Sequence, residues 1–514
     1  MKYCKRMFLV LVAILATTTV TAQNITFRHG EKNNSKGYQP TLISLEKGMT
    51  NGHYYSIEPD LNAFSKVKGI MVREVDIDYK EFKKVVIENT NECGIMHIQR
   101  DGTKLHLVLS LIEKKKTVLR HVCVDLNSFT VVNDKVLVDI IENKGDEFYY
   151  WDGNSSSGNY YSLVYANVNE KKGTADVQAM LFDQGMNLQW KRQMPVASIA
   201  KVLTTNDGRI ATCGYSNGEG KSDGANMTFS ITDASGTKQS SIPSSNKLGE
   251  MALLNCFGNK ILATALETDR GIGWAGNFTA GIAFTHGIVY TGCAAYLFDV
   301  ADGRMVNTDR HTFTKEDARV FYNASMVTEI TSPDINFLSL RNSVTTPQGG
   351  CALYGRTWLE KVQQMVSENG YAPHPTGAST VTYYYKGMML VNVDSTGHFV
   401  WMRPLMHDNW FNGDFKQFTE TDMVAEGNDI YVITNEAEND DDNYNPNKAA
   451  RRAVMMGHGA IAAYHFAPNG TAAKSKLING MNIIMTPLRC QGDGLYYLIT
   501  GKMRGRVTEI TIRP

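Results

Sequence analysis

Leu390–Pro404, LVNVDSTGHFVWMRP, decides the fold. It reads as a strand, a tight turn at Asp394–Gly397, and a second strand carrying Trp401. Asp-x-x-Gly suits such a turn, because Asp bonds its own backbone and Gly accepts a positive φ. The pattern returns as MLFDQGMNLQWKRQMP at Met180–Pro195, and weaker copies fill the chain. A unit that recurs in this way predicts a repeat architecture.

Three markers recur in the same order. A Gly turn precedes an apolar or aromatic strand at Gly52, Gly102, Gly158, Gly208, Gly258, Gly349, Gly427 and Gly492. A second strand closes on Asp in Gly69–Asp76, Gly224–Asp233, Gly292–Asp299 and Gly387–Asp394. A turn and a further strand follow that Asp. Each unit of about 50 residues therefore holds four short antiparallel strands, A to D, which is the arithmetic of a β-propeller blade. The expected fold is all-β: one propeller of four-stranded antiparallel blades, eight in number, with seven as the alternative if the first unit is irregular. The last unit supplies only three strands, at Asn482–Leu488, Leu495–Thr500 and Val507–Ile512. Ile25–Arg28 is expected to pair there as the missing strand and close the ring, which removes an open edge. Helical patterning is scarce, and Glu360–Glu368 is the one stretch expected to form a turn or two.

Residues 1–22 read as a cleavable export signal. Lys2, Lys5 and Arg6 precede the apolar run Met7–Ala16, and Val20-Thr21-Ala22 forms a small-residue cleavage site. The run is shorter than the roughly 20 residues a membrane-spanning helix needs. The expected organisation is a signal peptide at 1–22, an N-terminal segment with the closing strand at 23–38, and the propeller at 39–514. This places the protein in the periplasm or outside the cell. The chain holds 52 basic and 52 acidic residues. Such a balance argues against nucleic acid or an anionic membrane surface as partner. Seven cysteines lie beyond the signal, scattered and without a CxxC pair; they read mainly as small buried hydrophobes, with one disulfide left open.

The Asp394–Trp401 pattern and its variant Asp183–Trp190 resemble the repeat of quinoprotein-like eight-bladed propellers. In that family the Trp docks between neighbouring blades. The resemblance implies the fold; the quinone site and its metal ligands have no counterpart here, so no cofactor is expected from it.

Two short motifs lack the context their chemistry requires. Gly220–Gly224, GKSDG, sits in a polar hairpin and not on the strand-to-helix turn of a nucleophile elbow. Gly271–Gly276, GIGWAG, has no helix to face a pyrophosphate. Asp440, Asp441 and Asp442 offer hard oxygen ligands for Ca²⁺, but the spacing is not that of an EF-hand and a solvated loop is the preferred reading.

The placement of long connectors carries the functional reading. B–C connectors are long in three consecutive blades, at Thr268–Thr291, Leu359–Ser379 and Asn435–Gly457. The D–A connectors Thr314–Ser332 and Met406–Thr421 lie between them. All five emerge on one side of the ring, where long loops are usually functional. Trp274, Trp358, Tyr371, Trp410 and Phe411 are the expected ligand-binding residues, since exposed aromatics stack on sugar rings or hold a peptide. The expected function is an exported, non-enzymatic binding or scaffold protein. It presents this face of blades five to seven to a peptide, a glycan or a cell-envelope partner. The alternative is a carbohydrate hydrolase or lyase using His374, His407, Asp408 and Asp414.

Overall fold

Eight antiparallel sheets follow one another along the described residues, six of four strands and two of five. The computed structural model describes residues 25–512 with these exceptions: 30–43, 51, 62–66, 89–92, 114–115, 142–145, 170–173, 197–198, 200, 216–226, 243–246, 269–288, 322–334, 337, 364–378, 413–420, 438–442, 446–458, 479–482, 485–488, 491–494 and 502–504. The expected signal peptide, GKSDG and GIGWAG lie outside the described residues.

Strand β1 is Ile25–His29. Blade one is β2 (Ser44–Lys47), β3 (His53–Leu61), β4 (Val67–Asp76) and β5 (Glu81–Glu88). Blade two is β6 (Cys93–Asp101), β7 (Lys104–Glu113), β8 (Lys116–Asp125) and β9 (Thr130–Ile141). Blade three is β10 (Asp146–Asn154), β11 (Tyr160–Asn169), β12 (Thr174–Asp183) and β13 (Leu188–Gln193). Blade four is β14 (Lys201–Thr204), β15 (Ile210–Tyr215), β16 (Met227–Asp233) and β17 (Gly236–Ser241). Blade five is β18 (Lys247–Phe257), β19 (Lys260–Thr268), β20 (Val289–Asp299) and β21 (Met305–Thr312). Helix α1 (Lys315–Phe321) and β22 (Ile335–Asn336), which pairs with β20, follow it. Blade six is β23 (Leu338–Thr346), β24 (Gly349–Gln363), β25 (Ser379–Asp394) and β26 (Phe399–Asn412). Blade seven is β27 (Thr421–Glu426), β28 (Asp429–Ala437), β29 (Gly459–Phe466) and β30 (Ala472–Ile478).

Blade eight is closed by both ends of the chain. Its inner strand is split into β31 (Ile483–Ile484) and β32 (Arg489–Cys490), not the single run expected. Both pair with β33 (Leu495–Gly501), which pairs with β34 (Gly505–Ile512). Strand β1 completes the sheet, with Ile25 opposite Ile512 and His29 opposite Thr508. Strand β2 of blade one lies against β32, so the ring is a closed β-propeller. The first unit is a regular four-stranded sheet, which makes the count eight.

Burial follows position in the blade. The middle strands β19, β28 and β29 are buried along nearly their whole length, because a neighbouring blade covers each sheet face. They accordingly read as continuous apolar runs. The outer strands β13 and β21 face solvent and alternate or stay exposed. Phe229 of blade four stacks on Phe298 of blade five with ring centroids 4.0 Å apart. Cys123, Cys213, Cys293 and Cys351 are buried free thiols, and Cys256 is half-buried and free.

A second device ties the blades together. In blades one to six, the outermost strand donates to a backbone carbonyl in the C–D turn of the next blade. Lys83 Nζ reaches Asn127 O at 3.3 Å and Lys135 Nζ reaches Met186 O at 3.0 Å. Arg192 donates to Ala234 O, and Lys238 Nζ to Ala301 O at 2.5 Å. Asn307 Nδ2 reaches Thr396 O at 2.7 Å, and Arg403 Nε reaches Gly470 O at 2.7 Å. Six consecutive junctions are clasped in this way. Each clasp satisfies a turn carbonyl that has no partner in its own sheet. At the sixth junction Trp401 is also inserted: it is 6% exposed, stacks on Phe466 at 5.8 Å, and donates Nε1–H to Pro468 O at 3.0 Å.

Candidate functional site

The structure redraws the connector wall. Trp358, His407, Asp408, Trp410 and Phe411 lie on strands, not in connectors. Strands β24, β25 and β26 run on together past the length of the other blades, and beyond the shifts at Gly355/Arg356 and Lys386/Met388 the register between them is unbroken. Glu360–Gln363 is therefore strand, paired with Ser379–Thr382, where a helical turn was expected. Lys, Glu and Gln favour helix on their own, but strand pairing with β25 overrides that preference. The helix of this sector is α1, in the connector expected to be irregular. Thr314 caps it: Asp317 N–H donates to Thr314 Oγ1 at 3.2 Å, and Thr314 N–H donates to Asp317 Oδ2 at 2.8 Å. This reciprocal pair is a capping box. Trp274, Tyr371, His374, Asp414, Asp440, Asp441 and Asp442 lie outside the described residues.

Within the blade-six ribbon, residues far apart in sequence fall into single rows. Trp358 pairs with Tyr384, and Tyr384 with Trp410. Leu359, Tyr383 and Phe411 form the next row, and Arg356, Lys386 and Asp408 form a row on the other side. Successive rows alternate between the two sheet faces. The Trp358–Tyr384–Trp410 row and the Arg356–Lys386–Asp408 row, two residues apart, therefore share one face. The sequence reading missed Tyr384; the run Tyr383-Tyr384-Tyr385 was the signal for it. A bulge falls at Gly387, between the pairs Gly355–Met388 and Arg356–Lys386. Bulges commonly bend a strand at such a point.

The same sector carries charges inside the sheets. Ile261, Gly350 and Ile430 are the positions paired with the residue that precedes the C–D turn in blades five, six and seven. Six residues further along the B strand stand Glu267, Arg356 and Glu436. The corresponding position of blade two, counted from Leu105, is Leu111. Glu267 is 3% exposed and meets Arg310 Nε at 3.2 Å. The Tyr296 hydroxyl nearby is pushed up to about 12 by burial, with Glu267 adding to the effect. Glu436 is fully buried, accepts from the Tyr464 hydroxyl, and pairs with Lys474 Nζ at 2.6 Å. Lys474 also lies 5.3 Å from the centre of the Tyr464 ring. Burying a carboxylate costs several kcal/mol, which pairing mainly offsets. Two such pairs stand directly at the base of the B–C connectors of blades five and seven.

Among the described residues, no group of three or more His, Cys, Asp or Glu can hold a metal ion. No described helix is long and apolar enough to cross a membrane.

No protein-family model matches the chain, and no curated protein matches it. Solved structures do. The β-propeller domain of the Trilobed protease from Pyrococcus furiosus is 11% identical, with a TM-score of 0.34 over 81% of this chain and 93% of that one. An oligogalacturonate lyase in complex with manganese is 11% identical, with a TM-score of 0.34 over 92% of this chain and 98% of that one. A polysaccharide lyase is 11% identical, with a TM-score of 0.32 over 81% of this chain and 89% of that one. At such identities the likeness extends to the fold alone.

Proposed function

We propose that the protein is an exported carbohydrate-binding protein, and that the connector side of blades five to seven is its binding face. The observation that carries this reading is the register row Trp358–Tyr384–Trp410. Three aromatic residues on neighbouring strands span about 10 Å, twice the interstrand spacing. That length underlies two adjacent sugar rings. Aromatic faces cover the apolar C–H faces of pyranose rings, and a few placed polar groups fix orientation. The row Arg356–Lys386–Asp408, on the same face, supplies such groups. Trp274 and Tyr371, expected from the sequence to belong to this face, lie outside the described residues. The buried pairs Glu267–Arg310 and Glu436–Lys474 support the reading, because they anchor the bases of those connectors at a cost that folding alone does not require.

A glycan array on the purified protein, followed by calorimetry on the best ligand, tests the proposal. Trp358→Ala, Tyr384→Ala and Trp410→Ala are each expected to weaken binding by about tenfold or more, equal to about 1.4 kcal/mol. Affinity that survives both tryptophan substitutions would refute the choice of face. Release of reducing ends that disappears in Asp408→Ala would replace binding with catalysis at the same surface.

A further inference from the structure

The seam between blades two and three holds three histidines that none of the above uses. His97 on β6, His106 on β7 and His121 on β8 are all buried. His97 and His121 are both register partners of Val108 on β7, two residues from His106, so the three rings share one sheet face. His106 Nδ1 and His121 Nε2 are hydrogen-bonded to each other at 2.9 Å, and their rings stack at 5.2 Å. The outer nitrogens, His106 Nε2 and His121 Nδ1, are buried and find no hydrogen-bond partner among the described residues. The His97 ring stacks at 4.0 Å on Tyr161 of blade three. Its Nδ1 lies 3.7 Å from Asp152 Oδ2 on the inner strand β10.

We propose that this seam is an acid-sensitive latch, closed while the three rings are neutral and released when they take up protons. One shared proton satisfies the His106–His121 bond, so both rings cannot be cationic without placing like charges in direct contact. Lys104 and Lys135 add further positive charge, while Asp101, Asp134 and Asp183 counter it in part. Burial first, and then His106, hold His121 down to about 4. Burial also holds His97 down to about 4, against the hydrogen bond that its Nε2–H donates to Gln99 Oε1. From blade three, the Tyr161 hydroxyl stays protonated, because burial pushes it far up. Asp152 is pushed up to about 6 by burial. Burial thus favours the neutral form of Asp152 in the pH range where His97 would charge, which weakens its support for that cation. Lowered histidines stabilise the fold above their ordinary value, and that stability is lost as pH falls toward 4.

Hydrogen exchange on the full chain, corrected for intrinsic rates, reads the latch directly. Between pH 6.5 and about 4, protection of β6–β12 is expected to fall by about tenfold more than that of blades five and six. The variant His97→Gln/His121→Gln, which keeps polar groups and removes two titrations, is expected to abolish the difference. Ring titration by NMR on the unsubstituted chain gives an independent reading, with His97 and His121 neutral down to about 4. Uniform loss of protection over all blades, or rings that titrate at their ordinary value, would overturn the proposal.

Discussion

Gly470 sits where an inter-blade contact and a backbone constraint coincide, and Gly470→Ala separates the two. Its φ is +79°, a left-handed conformation that costs an L-residue about 1–2 kcal/mol. A Cβ built there would stand 2.8 Å from Trp401 Cγ and 2.9 Å from Arg403 Nη2. Neither neighbour can yield cheaply. The indole is held by Phe466 and by its bond to Pro468 O, and the guanidinium is held by Gly470 O itself. Overpacking of this kind adds about 1–3 kcal/mol, for a total of about 2–5 kcal/mol. Gly427 supplies the control. It lies in the other tight turn of blade seven with φ +58°, and a Cβ there meets nothing within 4 Å. Gly427→Ala is thus expected to cost only the backbone share, about 1–2 kcal/mol. Urea unfolding followed by far-ultraviolet circular dichroism measures both. In a Trp401→Leu background, the cost of Gly470→Ala should move toward the Gly427→Ala level, because the ring is gone and Arg403 Nη2 alone still stands close. If the two alanine variants differ by less than about 0.5 kcal/mol in the native background, the wedge between blades six and seven is not tight.

Two further outcomes follow from the closure and from the blade-two seam. Deleting Ile25–His29 leaves β34 as an open edge; size-exclusion chromatography should show association, and exchange protection should fall first in β33 and β34. An unchanged monomer with full protection in β34 would count against closure by β1. Asp152 has a proton affinity raised by folding, so its contribution is present below its ordinary value near 4 and is lost as pH rises through about 6. Asp152→Asn is therefore expected to gain about 1–2 kcal/mol over the native chain between pH 4 and 7, after allowing for the screening of a partly exposed group. A gain that is flat with pH would refute that origin.

The repeat was legible because its turns need particular residues. Asp394, Asp299 and Asp233 each accept backbone N–H bonds within their own turn, so the chain writes Asp at the same place again and again. The apolar B and C strands were legible because neighbouring blades cover both faces. The clasps were not. Lys83, Lys135, Arg192, Lys238, Asn307 and Arg403 perform one task with three residue types, and their acceptors are backbone carbonyls, which carry no sequence identity. The ribbon was misread for a related reason. Leu359–Gln363 has the composition of a short helix, and only its partners on β25 make it a strand. Helix α1 was overlooked although Thr314-Lys-Glu-Asp317 spells its cap. The three histidines of the latch lie on three different strands, and only the register brings their rings to one face.

The buried charges bear on the sector more directly than the aromatics do. Blade two fills its sixth B-strand position with Leu111, so a propeller blade of this chain does not need a charge there. Apolar residues of similar volume are often neutral or stabilising in place of a buried ion pair. A charge such as Glu267 or Glu436 is therefore not a general requirement of a blade at that position. Both occur in blades whose B–C connector is long, and Arg356 holds the same position in the blade between them, while Asp60 holds it in blade one, whose connector is short. A carboxylate paired to the outer strand at that level, as Glu436 is to Lys474, fixes the strand end from which the connector departs. The aromatic row and the charged positions thus fall in the same sector of the ring by unrelated physics, one by its register and the other by what it costs the fold.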